Sequence, residues 1–120
     1  MIEIGRTAEV TLVVGDGDIA IAHGSGDVPV LATPRVLALA EQAAVAALGE
    51  ELGEGRTSVG VHAELHHVKA TKLDAAVTAT AEVLAVNGRQ VTFEFRVTEG
   101  DEVAAYGTHQ RVVVDKDRFL

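Results

Sequence analysis

A single carboxylate within an apolar stretch is the feature of this sequence that most strongly suggests chemistry. Glu41 is the only acidic residue between Thr33 and Leu48, a run rich in alanine and leucine. A buried carboxylate without a partner is costly, so Glu41 either pairs with a cation, for which Arg111 is a candidate, or has a chemical role. Desolvation strengthens the hold of a carboxyl group on its proton, which suits a general base working near neutral pH.

Three neighbouring histidines raise the separate question of a metal site. His62 and His66 lie four residues apart, which on a strand separates them by about 13 Å at about 3.3 Å per residue. That is too far for both to bind one ion at about 2 Å. The chain has no cysteine, which excludes a thiolate nucleophile, a zinc–thiolate site and disulfides. The sequence therefore predicts no metal and no cofactor.

Length and composition predict one globular domain spanning residues 1–120. The chain is 48% hydrophobic and 23% charged, which is typical of a folded protein with a real core. Its net charge of −8 argues against nucleic acid as a partner, because phosphate binding needs a basic face. No apolar run is long enough to span a bilayer, and residues 1–6 lack the pattern of a signal peptide. We therefore expect a cytoplasmic protein without a membrane partner.

One long helix, the only one predicted, is expected over residues 34–48. Thr33 is suited to cap it with its hydroxyl, and Pro34 is suited to the first helical position. The run to Leu48 contains strong helix formers and no internal glycine or proline. Because it is apolar on most faces, we expect this helix to be buried.

The rest of the chain is dominated by strand patterns, most of them after the helix. Asn87-Gly88 marks a hairpin, and residues 99–101 mark a second tight turn. A lone apolar helix needs a sheet to cover it, which predicts an α+β fold with an antiparallel sheet of five to six strands wrapped around the helix. Such a sheet leaves edges, so we expect a homodimer. The strands are predicted at residues 7–14, 58–68, 73–86, 89–98 and 102–115.

Three local motifs, in this order, resemble those of hotdog-fold thioesterases and specifically the fluoroacetyl-CoA thioesterase group. The first is Gly-Asp-Val-Pro-Val-Leu-Ala-Thr-Pro at residues 26–34, with Glu41 following on the helix. The second is Thr-Ser-Val-Gly at residues 57–60, followed by His67 and by Ala-Thr at residues 70–71, and the spacing of 26 residues from Glu41 to His67 also fits the family. The third is Gly-Thr-His-Gln-Arg at residues 107–111. The resemblance covers about residues 26 to 115 and implies the hotdog fold.

The resemblance also implies site residues. Thr33, Glu41 and His67 would form the catalytic trio. Gly60 would place a backbone group near the thioester carbonyl, and Arg111 would support the substrate site from the last strand.

Two details of the resemblance are decided by the individual residues of this sequence. His66 and His67 both fit the motif, but neighbouring strand residues face opposite sides of a sheet, so only one can point at the helix; the spacings from Gly60 and Glu41 favour His67. Residues 19–26, ahead of the helix, contain no aromatic side chain, unlike the lid of the fluoroacetyl-specific enzymes. Selectivity for fluoroacetyl groups is therefore not implied.

The expected function is hydrolysis of a small acyl thioester on CoA or an acyl carrier, with CoA only as part of the substrate. Glu41 would attack the carbonyl directly or activate water, and the site would lie within one chain or across two. Two roles are open for the basic residues near strand ends: they bind the phosphates of the CoA nucleotide, or they are solvated surface charges. These residues are Lys69, Lys72 and Arg89. The alternatives are a non-catalytic module that binds acyl thioesters, and a hydratase or dehydratase on the same fold.

Overall fold

A five-stranded antiparallel sheet carries one long helix across one face, as the sequence predicts. The computed structural model describes all 120 residues. The strand order across the sheet is β1-β3-β4-β5-β2, and every neighbouring pair is antiparallel. The strands are β1 (Thr7–Val13), β2 (Arg56–His67), β3 (Ala76–Asn87), β4 (Gln90–Glu99) and β5 (Glu102–Asp115).

The long helix α2 (Thr33–Leu48) begins one residue earlier than predicted, and Thr33 does not cap it. Ala32 occupies the capping position and makes no side-chain hydrogen bond there, so Thr33 and Pro34 are the first two helical residues. The capping prediction was wrong because the Thr33 hydroxyl contacts His67 instead. Two single-turn helices, α1 (Ala20–His23) and α3 (Lys116–Phe119), also correct the expectation of a single helix.

The helix packs on the sheet through a face of mostly small side chains. Four of the seven buried helical residues are alanines, and they let the helix lie close to the buried alanines and valines of β3. Gln42, Val45 and Ala46 form an exposed stripe on the opposite side. The expectation of a helix buried all round is therefore wrong for the single chain. The buried helical residues are Val36, Leu39, Ala40, Ala43, Ala44, Ala47 and Leu48.

The hairpins follow the turn signals of the sequence. Asn87 pairs with Gln90 across a two-residue turn, in which Gly88 has a φ of 63°. Glycine adopts this left-handed conformation without the penalty that a side chain would bring. Strand β3 begins three residues later than predicted, because Asp74, with a φ of 71°, lies in a turn before it.

Strand β2 forms one edge of the sheet and runs beside α2. It pairs only with β5, and its register shifts between Gly60 and His62. Most of its residues are exposed or half-buried, and Val61 at its middle is 53% exposed. This edge carries two of the predicted site residues, Gly60 and His67. None of the helices has the length and apolar character needed to cross a membrane.

Candidate active site

The hydroxyl of Thr33 and the imidazole of His67 are in direct contact. Thr33 Oγ1 lies 2.8 Å from His67 Nδ1. The first turn of α2 positions the threonine, and the end of β2 positions the histidine. A hydroxyl hydrogen-bonded to an imidazole is an arrangement that can activate the oxygen as a nucleophile or orient a water molecule.

Burial keeps this imidazole neutral. Desolvation lowers the pKa of His67 below its usual range. Its second nitrogen, Nε2, is buried and has no hydrogen-bond partner within the chain. A neutral imidazole is able to accept a proton.

Glu41 contacts a different set of side chains. Its Oε2 lies 3.2 Å from Arg111 Nη1 and 3.8 Å from His109 Nε2. The Glu41 side chain is 40% exposed, so the desolvated carboxyl group expected from its apolar helix is not what the structure contains. The ion pair with Arg111, one of the two possibilities for this residue, is present.

Arg111 is the centre of this cluster and is itself buried. Its Nε donates to Ser58 Oγ at 2.8 Å, and its Nη2 donates to the Ser58 carbonyl at 3.1 Å. Its Nη1 reaches Glu41 and also His109 Nε2, the latter at 3.1 Å. All three guanidinium nitrogens are therefore engaged, which fixes the plane of the group and hence the position of the Glu41 carboxylate.

The protonation pattern of His109 follows from its neighbours. Its Nδ1 lies 2.8 Å from the His62 carbonyl, which can only accept, so Nδ1 carries the proton. The lone pair on Nε2 then accepts from Arg111 Nη1. Burial, with a smaller contribution from the positive charge of Arg111, lowers the pKa of His109 and keeps the ring neutral.

Gly60 gives the Glu41 carboxylate room beside β2. A Cβ atom at this position would lie 2.5 Å from Glu41 Oε2, 3.1 Å from His109 Cε1 and 3.3 Å from Arg111 Nη1. Any side chain here would displace the cluster. The structure thus gives Gly60 a steric role next to the carboxylate.

Within one chain the three residues of the predicted trio do not form a single cluster. Thr33 contacts His67, whereas Glu41 hydrogen-bonds only Arg111. Thr33 and Glu41 are eight residues apart on α2, which separates their backbones by about 12 Å along the helix axis at about 1.5 Å per residue.

A cavity of about 290 Å³ adjoins the Thr33–His67 pair. Its walls come from residues within 25–33 other than Asp27 and Pro29, from Ala20 in α1, and from residues 67–70 at and after the end of β2. Glu41 does not line it. The cavity is bounded mainly by aliphatic side chains, so apolar space lies directly beside the hydroxyl–imidazole pair.

The remaining sequence candidates lie elsewhere. His66 faces away from the helix and stacks on Tyr106 with ring centroids 5.0 Å apart. No group of three histidine, aspartate or glutamate side chains is placed to hold a metal ion.

Lys69 lines the cavity but pairs with Glu102 at 3.0 Å. Arg89 pairs with Asp115 at 3.8 Å, and Lys72 is exposed and makes no salt bridge.

Sequence reasoning missed two residues of the site, His109 and Ser58. His109 lies two residues before Arg111 on β5, so period-two alternation puts both on the helix-facing side. That spacing was a usable signal. Ser58 lies in the Thr-Ser-Val-Gly motif at residues 57–60, but the motif does not give its role, which depends on the register that brings it to Arg111.

A long helix wrapped by an antiparallel sheet, with polar side chains where the helix meets the edge strand, defines a protein of the hotdog fold. The family described as "Fluoroacetyl-CoA-specific thioesterase" (FlK) matches residues 14–117. The chain belongs to this family.

Individual relatives agree with this assignment. The chain is similar to the fluoroacetyl-CoA thioesterase of Streptantibioticus cattleyicolor, with 33% identity over 90 residues, 75% of this chain and 65% of the relative. A solved structure of an FlK point mutant in complex with fluoroacetate and CoA superposes with a TM-score of 0.91 at 27% identity, covering 98% of this chain and 99% of that one. A hot-dog-like protein from Thermanaerovibrio acidaminovorans superposes with a TM-score of 0.87 at 29% identity, covering 95% and 84%.

The two buried histidines make stability depend on pH. The pKa of His67 and of His109 is lowered in the folded protein, so below about pH 6.5, the usual histidine value, the unfolded chain binds more protons. We expect the unfolding free energy to fall as the pH drops from 7 towards 5, by at most about 1.4 kcal/mol per pH unit for each group. Denaturant unfolding at a series of pH values measures this slope.

The variant His109→Gln removes one of these titrating groups but keeps a donor and an acceptor, so its slope should be smaller than that of the wild type. His66→Gln, at an exposed position, is the matched control and should keep the wild-type slope. An unchanged slope in His109→Gln would contradict the assignment of a neutral buried imidazole.

Proposed function

We propose that the chain hydrolyses a small acyl thioester carried by CoA or an acyl carrier, with Thr33, Glu41 and His67 as its catalytic residues and Gly60 and Arg111 at the substrate site. The observation that carries the proposal is the Thr33–His67 hydrogen bond of 2.8 Å beside an apolar cavity, in a chain of this family. CoA takes part only as the leaving half of the substrate, and no metal or other cofactor is needed. The cytoplasmic location and the lack of a nucleic-acid partner stay predictions.

Hydrolysis of a thioester breaks the carbon–sulfur bond after an oxygen nucleophile adds to the carbonyl carbon. The thiolate leaves, and the acid takes up one oxygen from water. Neutral His67 is suited to accept the proton of the attacking hydroxyl or water through the Thr33 contact. Backbone N–H groups at the start of α2 would stabilise the developing oxyanion.

Glu41 supplies the carboxylate of the mechanism, as base or nucleophile. Its partial exposure keeps it open to a substrate, and Arg111 fixes its position. Because Glu41 and Thr33 lie two helical turns apart, a site containing both either extends along α2 or is completed by a second copy of the chain.

The separation of Glu41 from the Thr33–His67 pair favours one alternative function, binding without catalysis. A hotdog module that binds acyl thioesters without hydrolysing them needs the cavity but not a converging trio. Tight binding of an acyl-CoA without release of thiol would support that alternative.

The catalytic assignment predicts large losses from conservative changes. Thr33→Val, Glu41→Gln and His67→Gln should each lower kcat/KM by about 10²-fold or more, the range expected for loss of acid–base or nucleophilic groups. A thiol reagent that reports CoA release from short acyl-CoAs measures this. Glu3→Gln, the same change at an exposed carboxylate ahead of β1, is the control. Wild-type activity in Glu41→Gln would remove Glu41 from the mechanism.

The homodimer is the second part of the proposal. Strand β2 is a 12-residue edge with unpaired backbone groups, and Val61 is exposed at its middle. The exposed stripe of α2 around Val45 lies on a side of the helix that no other element of the chain covers. An open edge next to exposed apolar side chains suits a second copy of the same surface across a two-fold axis.

Dimerisation through β2 predicts a mass of twice 12.5 kDa in solution. Val61→Glu would place two carboxylates near the axis and should shift the protein to the monomer, because like charges across an edge pair oppose pairing. Val13→Glu is the matched control, since Val13 is 62% exposed on the other edge strand, β1. Sedimentation velocity distinguishes the species, and a monomeric wild type would contradict this part of the proposal.

A further inference from the structure

The cavity beside Thr33 and His67 has more space than a two-carbon acyl group fills. Its volume is about 290 Å³. An apolar protein cavity of about 150 Å³ is enough to hold benzene, a ring of six carbons. Volume alone therefore admits an acyl chain several carbons longer than the fluoroacetyl group in the names of the relatives.

The walls of the cavity are mainly aliphatic. Ala20, Leu31 and Ala32 form a buried floor. At the rim, Val28 and Val68 are 52% and 59% exposed. Apolar side chains exposed around a concave site are suited to cover a hydrocarbon, because contact removes their surface from water.

The charge of the lining argues for a neutral chain. No aspartate or glutamate lines the cavity, and its one cation, Lys69, pairs with Glu102 and Glu99 at 3.0 and 3.7 Å. An acyl group with a terminal carboxylate would find no free cation in the cavity, and one with a terminal ammonium would find no anion. A hydrocarbon end meets neither difficulty.

Backbone hydrogen bonds hold the floor of the cavity in place. The Leu31 amide donates to the Thr71 carbonyl at 2.8 Å, and the Ala32 amide donates to the Asp18 carbonyl at 2.9 Å. These bonds tie the segment ahead of α2 to two other parts of the chain. The shape that selects the acyl chain is therefore held by the backbone.

We infer that this cavity receives the acyl chain of the substrate, and that the preferred substrates are thioesters of neutral aliphatic acids with about four to eight carbons. The inference rests on the proposed thioesterase function and names its substrate class. The Thr33–His67 pair at the wall then lies beside the thioester end of the chain, and the hydrocarbon lies over the alanine and valine lining.

A chain-length series on the wild-type protein tests this directly. The probes are acetyl-, fluoroacetyl-, butanoyl-, hexanoyl- and octanoyl-CoA, followed by thiol release. We expect kcat/KM to rise from acetyl to hexanoyl by up to about fourfold for each buried methylene, and fluoroacetyl-CoA to fall below hexanoyl-CoA.

A variant whose cavity is filled by a larger side chain should lose the preference for longer acyl chains. Ala70 lines the cavity at an exposed position, so Ala70→Phe adds a ring with little effect on the core and should lower the ratio of hexanoyl to acetyl kcat/KM at least tenfold. Ala76→Phe, at an exposed alanine outside the cavity, is the matched control and should keep the wild-type ratio. Thermal unfolding checks that both variants fold, and Val28→Phe replaces Ala70→Phe if the latter does not.

The two possible failures are distinguishable. Hydrolysis that is equal or faster with acetyl- or fluoroacetyl-CoA than with the longer chains overturns the substrate class and leaves the thioesterase function intact. A hexanoyl preference that survives Ala70→Phe overturns the assignment of this cavity. Absence of hydrolysis with every thioester overturns the proposed function and the inference together.

Discussion

The guanidinium group of Arg111 is the interaction on which the geometry of the Glu41 end of the site depends. It is buried, and it joins strand β2 through Ser58, strand β5 through its own backbone and His109, and helix α2 through Glu41. A buried charge is stable only when its donors are paired. The same requirement that satisfies Arg111 therefore fixes the carboxylate on the helix relative to the edge of the sheet.

The wrapped helix supplies the frame for this interaction. Alanines on the buried face of α2 let it approach the sheet closely, and Gly60 on β2 leaves space for a carboxylate where any side chain would fill it. Small residues thus do two things here. They allow close packing in the core, and they admit one polar group at the margin of that core.

Much of the fold could be predicted from the sequence, because its signals are local. Alternation in β3 and β4, the Asn87-Gly88 turn and the alanine-rich run of α2 each specify an element without reference to the rest of the chain. The contacts of the site were harder to foresee. Whether Thr33 caps its helix or meets His67 depends on where the end of β2 lies, and Ser58 acquires its role only through pairing of β2 with β5. The partial exposure of Glu41 and Val45 likewise follows from the position of β2 at the edge of the sheet. Neither the spacing of apolar residues nor the composition of the chain predicts that position.

We propose that Arg111 must hold the Glu41 carboxylate against Gly60 for the protein to hydrolyse thioesters. The most direct measurement is kcat/KM for an acyl-CoA in Gly60→Ala compared with Gly17→Ala, whose added Cβ would meet nothing within 4 Å. Gly60→Ala pushes the carboxylate aside, and a displacement of about 1 Å at a reacting group costs about 10²-fold, so we expect a loss of that order with the fold retained and no loss in Gly17→Ala. Equal kcat/KM in both variants would contradict the account.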